Sequence, residues 1–270
     1  MATTVVDGFK TNLKLKTRYP VLKFDLLRMY FGKPYIIDLE GVDGQITVRV
    51  PTLGEIINIG EDRFYGTLNV FTTNTTQNRL MLSKANPPID WNELSDFDLF
   101  TSLYVSADDE VVDCLFDGLD LKGFGVYLKD QNEKILYNKK TKTEINEAVY
   151  QHIAQYLRLV FRLHVEEKIT RDPILKQMYL QKDEFALQHA SKKKTEESNS
   201  IQPLISACVN HPGFKYKLNE LEQVNICEFY DSVSRLQVYE NTTALLRGSY
   251  SGMIDTSKID KESFNFMRKI

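Results

Sequence analysis

Apolar positions recur along the chain in two rhythms that divide it near residue 140. In the first half they fall in short runs. Tyr35–Leu39 and Gln45–Val50 flank Glu40–Gly44, whose two glycines permit positive φ, and together predict a β-hairpin with a longer loop. Gly123–Leu128 and Lys134–Tyr137 flank the polar Asp130–Glu133 and predict a second hairpin. Between them the spacing turns helical. Thr52 with Glu55 three residues on is a capping box that opens a helix through Ile56, Ile57 and Ile59, ended by Gly60. A second helix over Glu61–Thr72 carries Phe64, Tyr65, Leu68 and Phe71, and a third lies near Thr76–Ser83. Trp91, Leu94, Phe97, Phe100, Leu103 and Tyr104 recur at three- and four-residue steps and predict a helix to about Val105. Val111–Phe116 fits a helical turn or a strand. Ahead of all this, Leu22, Leu26 and Met29 suggest a short helix around Val21–Phe31.

After Tyr137 the pattern becomes helical throughout. Thr141 and Glu144 form a capping box ahead of a helix predicted to run to about Lys168, with Ile145, Val149, Ile153, Tyr156, Leu157 and Val160 as its buried stripe. Asp172-Pro173 is an N-cap and first-turn pair for a helix to about Ala190. The polar residues 188–200 suit a loop or a frayed helix end. A short helix begins at Asn199 or Pro203, the longest spans Leu218–Arg247 with Gly248 as its terminator, and a last one covers Ser257–Lys269. The expected fold class is therefore α+β. A first domain (1–140) holds the hairpins and a second (141–270) is helical, unless the two are one continuous unit.

Composition narrows the chemistry. A chain of 270 residues with 42% hydrophobic and 26% charged residues can build a core without metal or disulfide. Three widely spaced cysteines, Cys114, Cys208 and Cys227, suit a reducing compartment and no disulfide framework. No apolar run is long enough for a secretory signal or a membrane span, so the Asn74 and Asn241 sequons read as chance matches. His152, His164, His189 and His211 have no metalloprotease spacing. No nucleophile elbow, phosphate loop or dinucleotide motif occurs. The expectation is a non-enzyme with no catalytic, cofactor-binding or metal-binding residue.

Charge is the feature that composition conceals. The net charge of −3 hides blocks of opposite sign. Residues 1–33 carry seven cations and two anions, 85–120 ten anions and no cation, and 121–142 six cations and two anions. Such blocks can steer a partner or simply face one another within the monomer. Asp108, Asp109, Glu110, Asp113, Asp117 and Asp120 lack the spacing of a calcium loop. Asp96 and Asp98 point to different sides of a helix. In Leu218–Arg247, Phe229, Val233, Leu236, Tyr239, Thr243 and Leu246 make a seam close to that of a coiled coil. Tyr230, Val233, Leu236, Tyr239, Leu246 and Tyr250 are the expected partner-binding residues.

Residues 51–71 (PTLGEIINIGEDRFYGTLNVF), the acidic WNELSDFDLF at 91–100, and the C-terminal 229–270 resemble proteins encoded among the tail genes of phages and prophages of Gram-positive hosts. That resemblance implies tail morphogenesis through protein–protein contacts, with the tape measure or tail tube protein as partner. A tail assembly chaperone in the host cytoplasm is the leading expectation, and a structural subunit of the virion the alternative. Self-association remains open. Two readings of another class are a metal-dependent enzyme on nucleic acid, using the acidic block, and a nucleic-acid-binding module, using the basic N-terminus. No membrane partner is expected.

Overall fold

The computed structural model describes residues 5–6, 9–10, 18–129, 133–193 and 201–269. After a small antiparallel pairing of β1 (Val5–Val6) with β2 (Phe9–Lys10), the chain reaches α1 (Leu26–Tyr30), capped by the Asp25 carboxylate. This helix is shorter than predicted. Met29 is buried, but Leu26, expected in the stripe, is exposed. The first predicted hairpin forms from β3 (Tyr35–Ile37) and β4 (Ile46–Val48), paired antiparallel. The capping box at Thr52 and Glu55 is present and opens α2 (Leu53–Ile59). Then α3 (Glu61–Thr72) runs through the centre of the molecule and leads to α4 (Arg79–Ser83).

The acidic stretch gives α5 (Asp96–Leu103), which starts later than the apolar spacing predicts because Ser95 supplies its N-cap. Trp91 is buried ahead of it, in a turn. Asp108 caps α6 (Asp109–Leu115), so the ambiguous Val111–Phe116 segment is helical. The second hairpin, β5 (Gly125–Leu128) with β6 (Lys134–Asn138), is joined by a third strand, β7 (Thr143–Ile145), in the order β5-β6-β7.

This third strand corrects the predicted capping box at Thr141 and Glu144. Thr143 and Ile145 pair with Asn138 and Leu136, and Glu144 is buried with its carboxylate 2.9 Å from the Lys129 ammonium. Asn146 caps the following helix instead, α7 (Glu147–Val160). That helix stops well short of Lys168, where Arg162 takes a left-handed φ of 53°. Residues 163–172 then run without helical or strand pairing into α8 (Pro173–Lys193).

The C-terminal helices also differ from the sequence pattern. After α9 (Gln202–Val209), the segment expected as one helix divides into α10 (Leu218–Leu221) and α11 (Ile226–Tyr250). The break is tertiary in origin. Residues 222–226 run beside the chain entering α2, with Leu53 N–H donating to Val224, Gly54 N–H to Glu222 and Ile226 N–H to Pro51. Gly54 makes that approach feasible, since a Cβ there would lie 2.8 Å from the Glu222 carbonyl oxygen. At the far end α11 continues past Gly248, against which Ile254 packs, and Gly252 takes the left-handed φ of 69°. The final predicted helix is replaced by two 3-10 turns, Thr256–Lys258 and Lys261–Phe264.

One apolar core joins these elements and draws on both sides of residue 140. Phe64, Leu68 and Phe71 of α3 contribute beside Ile153, Leu157 and Val160 of α7, with Phe64 and Phe161 rings 5.6 Å apart. Below them Phe71, Phe100, Phe116 and Tyr150 form an aromatic cluster, Tyr150 stacking on Phe100 at 4.8 Å. A smaller core of Leu82, Trp91 and Leu99 receives Tyr179 and Leu180 and thereby holds α8.

Candidate interaction surfaces

Five of the ten carboxylates of the acidic block meet cations of the same molecule. Arg63 of α3 lies 2.9 Å from Asp108 and from Glu110, Lys122 pairs with Asp109, Lys134 with Asp98 and Lys176 with Asp90. Arg18, from the basic N-terminal stretch, donates to the backbone carbonyls of Asn92 and Leu94. The acidic 90–120 region is thus tied to cations of α3, the second sheet and α8. Asp96 is buried and accepts the Thr75 N–H, while Asp98 also receives Ser95. Among the described residues, no group of three or more His, Cys, Asp or Glu is placed to hold a metal ion. Lys14 and Lys16 lie outside the described residues.

The three cysteines are buried. Burial pushes the Cys114 thiol up to about 12 and the Cys227 thiol to about 11, far from the thiolate form at neutral pH. The Asn74 sequon is buried in the loop Thr73–Thr76, whose side chains are all inside. The Asn74 amide donates to the Glu166 carbonyl, and Arg158 donates to the carbonyls of Thr72 and Thr73. Among the described residues, no helix is long and apolar enough to cross a membrane.

Among the described residues the fold leaves apolar side chains bare in several places, three of which involve α11, α3 and α8. The first is the distal part of α11. At 25 residues it is about 37 Å long, but its core-bound side chains lie near its start, at Ile226, Cys227 and Phe229. Beyond these the chain's own tail covers one side. Thr242 donates to Ser263, Arg268 donates to Thr242, Ser263 and Asn265, and Arg235 donates to the Arg268 carbonyl. On this pair Tyr239 and Phe266 meet edge to face at 6.5 Å, and Tyr250, Met253 and Met267 are each more than 70% exposed.

The expected partner-binding residues therefore separate. Tyr239 and Tyr250 are exposed. Tyr230, expected at the surface, packs with Val233 against the core, and its hydroxyl lies 3.1 Å from that of Tyr65. Leu236, close to Gly213, and Leu246 are half-buried. Met253, Phe266 and Met267 give no periodic signal in the sequence, because the tail that carries them forms turns and not a helix.

The second surface is a groove of about 670 Å³ along α3. Asp62, Tyr65, Leu68 and Thr72 line it from one side of that helix, and Ile57, Leu163 and Leu204, each between 38% and 48% exposed, form its walls. Ile201 and Tyr230 complete the floor. Burial, followed by the neighbouring Tyr230, raises the Tyr65 pKa, so this hydroxyl stays protonated at neutral pH. Glu61, whose carboxylate accepts the Ile201 N–H, and Asp62 lie at one end. No Lys or Arg is among the lining residues.

The third is α8. Its inner side is held by Tyr179 and Leu180, by Asp183 on Arg79, by Glu184 on Lys84 and by Lys176 on Asp90. Roughly opposite, Ile174, Met178 and Phe185 are each more than half exposed at i, i+4 and i+11. The helix has an apolar stripe on both sides, only one of which is covered.

Comparison with known proteins places a limited match on the end of the chain. No curated protein and no solved structure matches it. Residues 191–270 match the family model described as the YomV second domain, a family derived from a Bacillus prophage.

Proposed function

We propose that this chain is a phage protein that acts in tail assembly through protein–protein contacts, with distal α11 and the tail folded on it as the contact surface. The observation that carries the reading is that Tyr239, Tyr250, Met253, Phe266 and Met267 are all exposed on distal α11 and the tail bonded to it, with Tyr239 and Phe266 in contact. Monomeric proteins rarely leave such apolar groups bare together unless something covers them. The same residues fall within the stretch that matches a phage-derived family. Aromatic and methionine side chains suit a reversible contact with an apolar helix, because they offer large area and adaptable shape. A chaperone that shields a tape measure protein until tube subunits replace it needs such a contact.

Co-expression with the tape measure protein of the same phage tests this. The expected result is a soluble complex that is lost on Tyr239→Ser with Phe266→Ser, while the variant keeps its melting temperature within about 2 °C. No complex and no gain in partner solubility would overturn it. Mass spectrometry of purified particles separates the two roles, since an assembly factor is absent from them and a virion subunit is present in stoichiometric amount.

A further inference from the structure

We propose that the groove along α3 receives the outer face of α8 from a second copy of the chain. Three features of the two surfaces match. The first is length. The groove floor from Asp62 to Thr72 spans ten residue steps of α3, or about 15 Å, and the α8 stripe from Ile174 to Phe185 spans eleven, or about 16 Å. The second is chemistry. The groove exposes Ile57, Leu163 and Leu204 over a floor of Tyr65, Leu68 and Ile201, which suits the three apolar side chains of the stripe laid in as a helix. The third is charge. The groove's charged lining residues are Glu61 and Asp62, both at the N-terminal end of α3. Exposed Lys182 flanks the stripe one turn before Phe185, near its C-terminal end.

Bringing Lys182 to Asp62 fixes the direction. Phe185 then enters at the Ile57 end, Ile174 sits near Thr72 and Leu163, and α8 runs antiparallel to α3. The inner stripe of α8 stays on its own body, so the helix is sandwiched between two copies. Groove and stripe are different surfaces of one chain, so the contact is head to tail and each copy can engage two others. One helix in one groove lies at the small end of specific interfaces, which corresponds to micromolar association. This contact uses neither Tyr239 nor Phe266, so it stands or falls independently of the role assigned to the tail.

Sedimentation equilibrium of the full-length chain tests the proposal. Between about 1 and 100 µM, the weight-average mass is expected to rise from 31.3 kDa past that of a dimer. Phe185→Ser should weaken association by at least about thirtyfold, the scale of an interface hot spot. Asp62→Lys and Lys182→Glu should each weaken it about tenfold, and the chain carrying both should recover most of that loss. All four substituted positions are on the surface or at the groove rim, and a thermal melt of each variant confirms that it is folded. Tyr239→Ser serves as a control that leaves association unchanged. A chain that stays monomeric at about 100 µM overturns the proposal. So does association insensitive to Phe185→Ser, or charge reversals that the double variant does not rescue.

Discussion

Replacing Asp183 by alanine removes the carboxylate from a guanidinium that is almost out of solvent. The Arg79 side chain is 8% exposed, and both Nε and Nη2 donate to Asp183 at 2.5 Å. Breaking a fully buried pair costs about 3–5 kcal/mol because the remaining charge has no partner. Asp183 is 27% exposed, so water reaches this pair and the expected cost falls to about 2 kcal/mol. The loss should appear in α8 before it appears in the whole molecule. Besides Tyr179 and Leu180, α8 is held by the exposed Lys84–Glu184 pair, worth about 0–1 kcal/mol, by Lys176 on Asp90 and over the Trp91 ring, and by Arg79 and Lys168 over the Tyr179 ring. Opening of α8 is then a local event below the global unfolding free energy. Hydrogen exchange followed by mass spectrometry, at a concentration where the chain is dilute, is the direct assay. Protection in peptides covering 174–189 should fall about thirtyfold, with little change in those covering α3 and α7. The paired change Arg79→Met with Asp183→Leu should restore it, since apolar residues can replace a buried pair at little cost. A change in α8 protection of less than about threefold with Asp183→Ala would refute the claim that this pair holds the helix.

Three other outcomes follow from particular contacts. Burial holds the His152 pKa below its ordinary 6.5, and its Nδ1 shares a 2.6 Å hydrogen bond with the Tyr35 hydroxyl. The folded state therefore favours neutral His152. This contribution is complete above pH 6.5 and is lost as the pH falls towards the depressed folded value, so urea midpoints should drop over that window and His152→Gln should flatten the drop. Gly54→Ala would force a Cβ to 2.8 Å from the Glu222 carbonyl and separate the α2 entry from residues 222–226, at a cost of about 2 kcal/mol by chemical denaturation. Arg268→Ala removes donors to Thr242, Ser263 and Asn265. It should raise exchange in residues 253–269 about tenfold while leaving the melting temperature of the body nearly unchanged.

Elements were legible in the sequence wherever local chemistry and apolar period agreed. Thr52 and Glu55 sit at a helix start that needs both, and the helix forms where they predict. The glycines at 41 and 44, each with positive φ, let the first hairpin turn, and Tyr35 pairs with Val48 across it. The Thr141–Glu144 signal failed because a capping box reads only four residues. It cannot register that Thr143 and Ile145 have a strand beside them or that Lys129 awaits Glu144. The 218–247 helix failed similarly, since its apolar spacing continues through residues 222–225 while the backbone there is needed by Leu53 and Gly54.

By itself, then, the sequence determined the α+β class, the two hairpins and the caps of α2 and α8, because these depend on neighbours within a few positions. It also revealed the charge blocks, but not their purpose. Only the tertiary structure decided that Arg63, Lys122, Lys134 and Lys176 meet the acidic block inside one molecule. It likewise decided which apolar stripes are covered. The α11 seam and the α8 stripe both satisfy helical spacing, yet Phe229 of the seam is buried while Tyr239 of the same seam and Phe185 of the stripe are exposed. Periodicity fixes which residues share a side of a helix. What lies against that side depends on residues more than a hundred positions away.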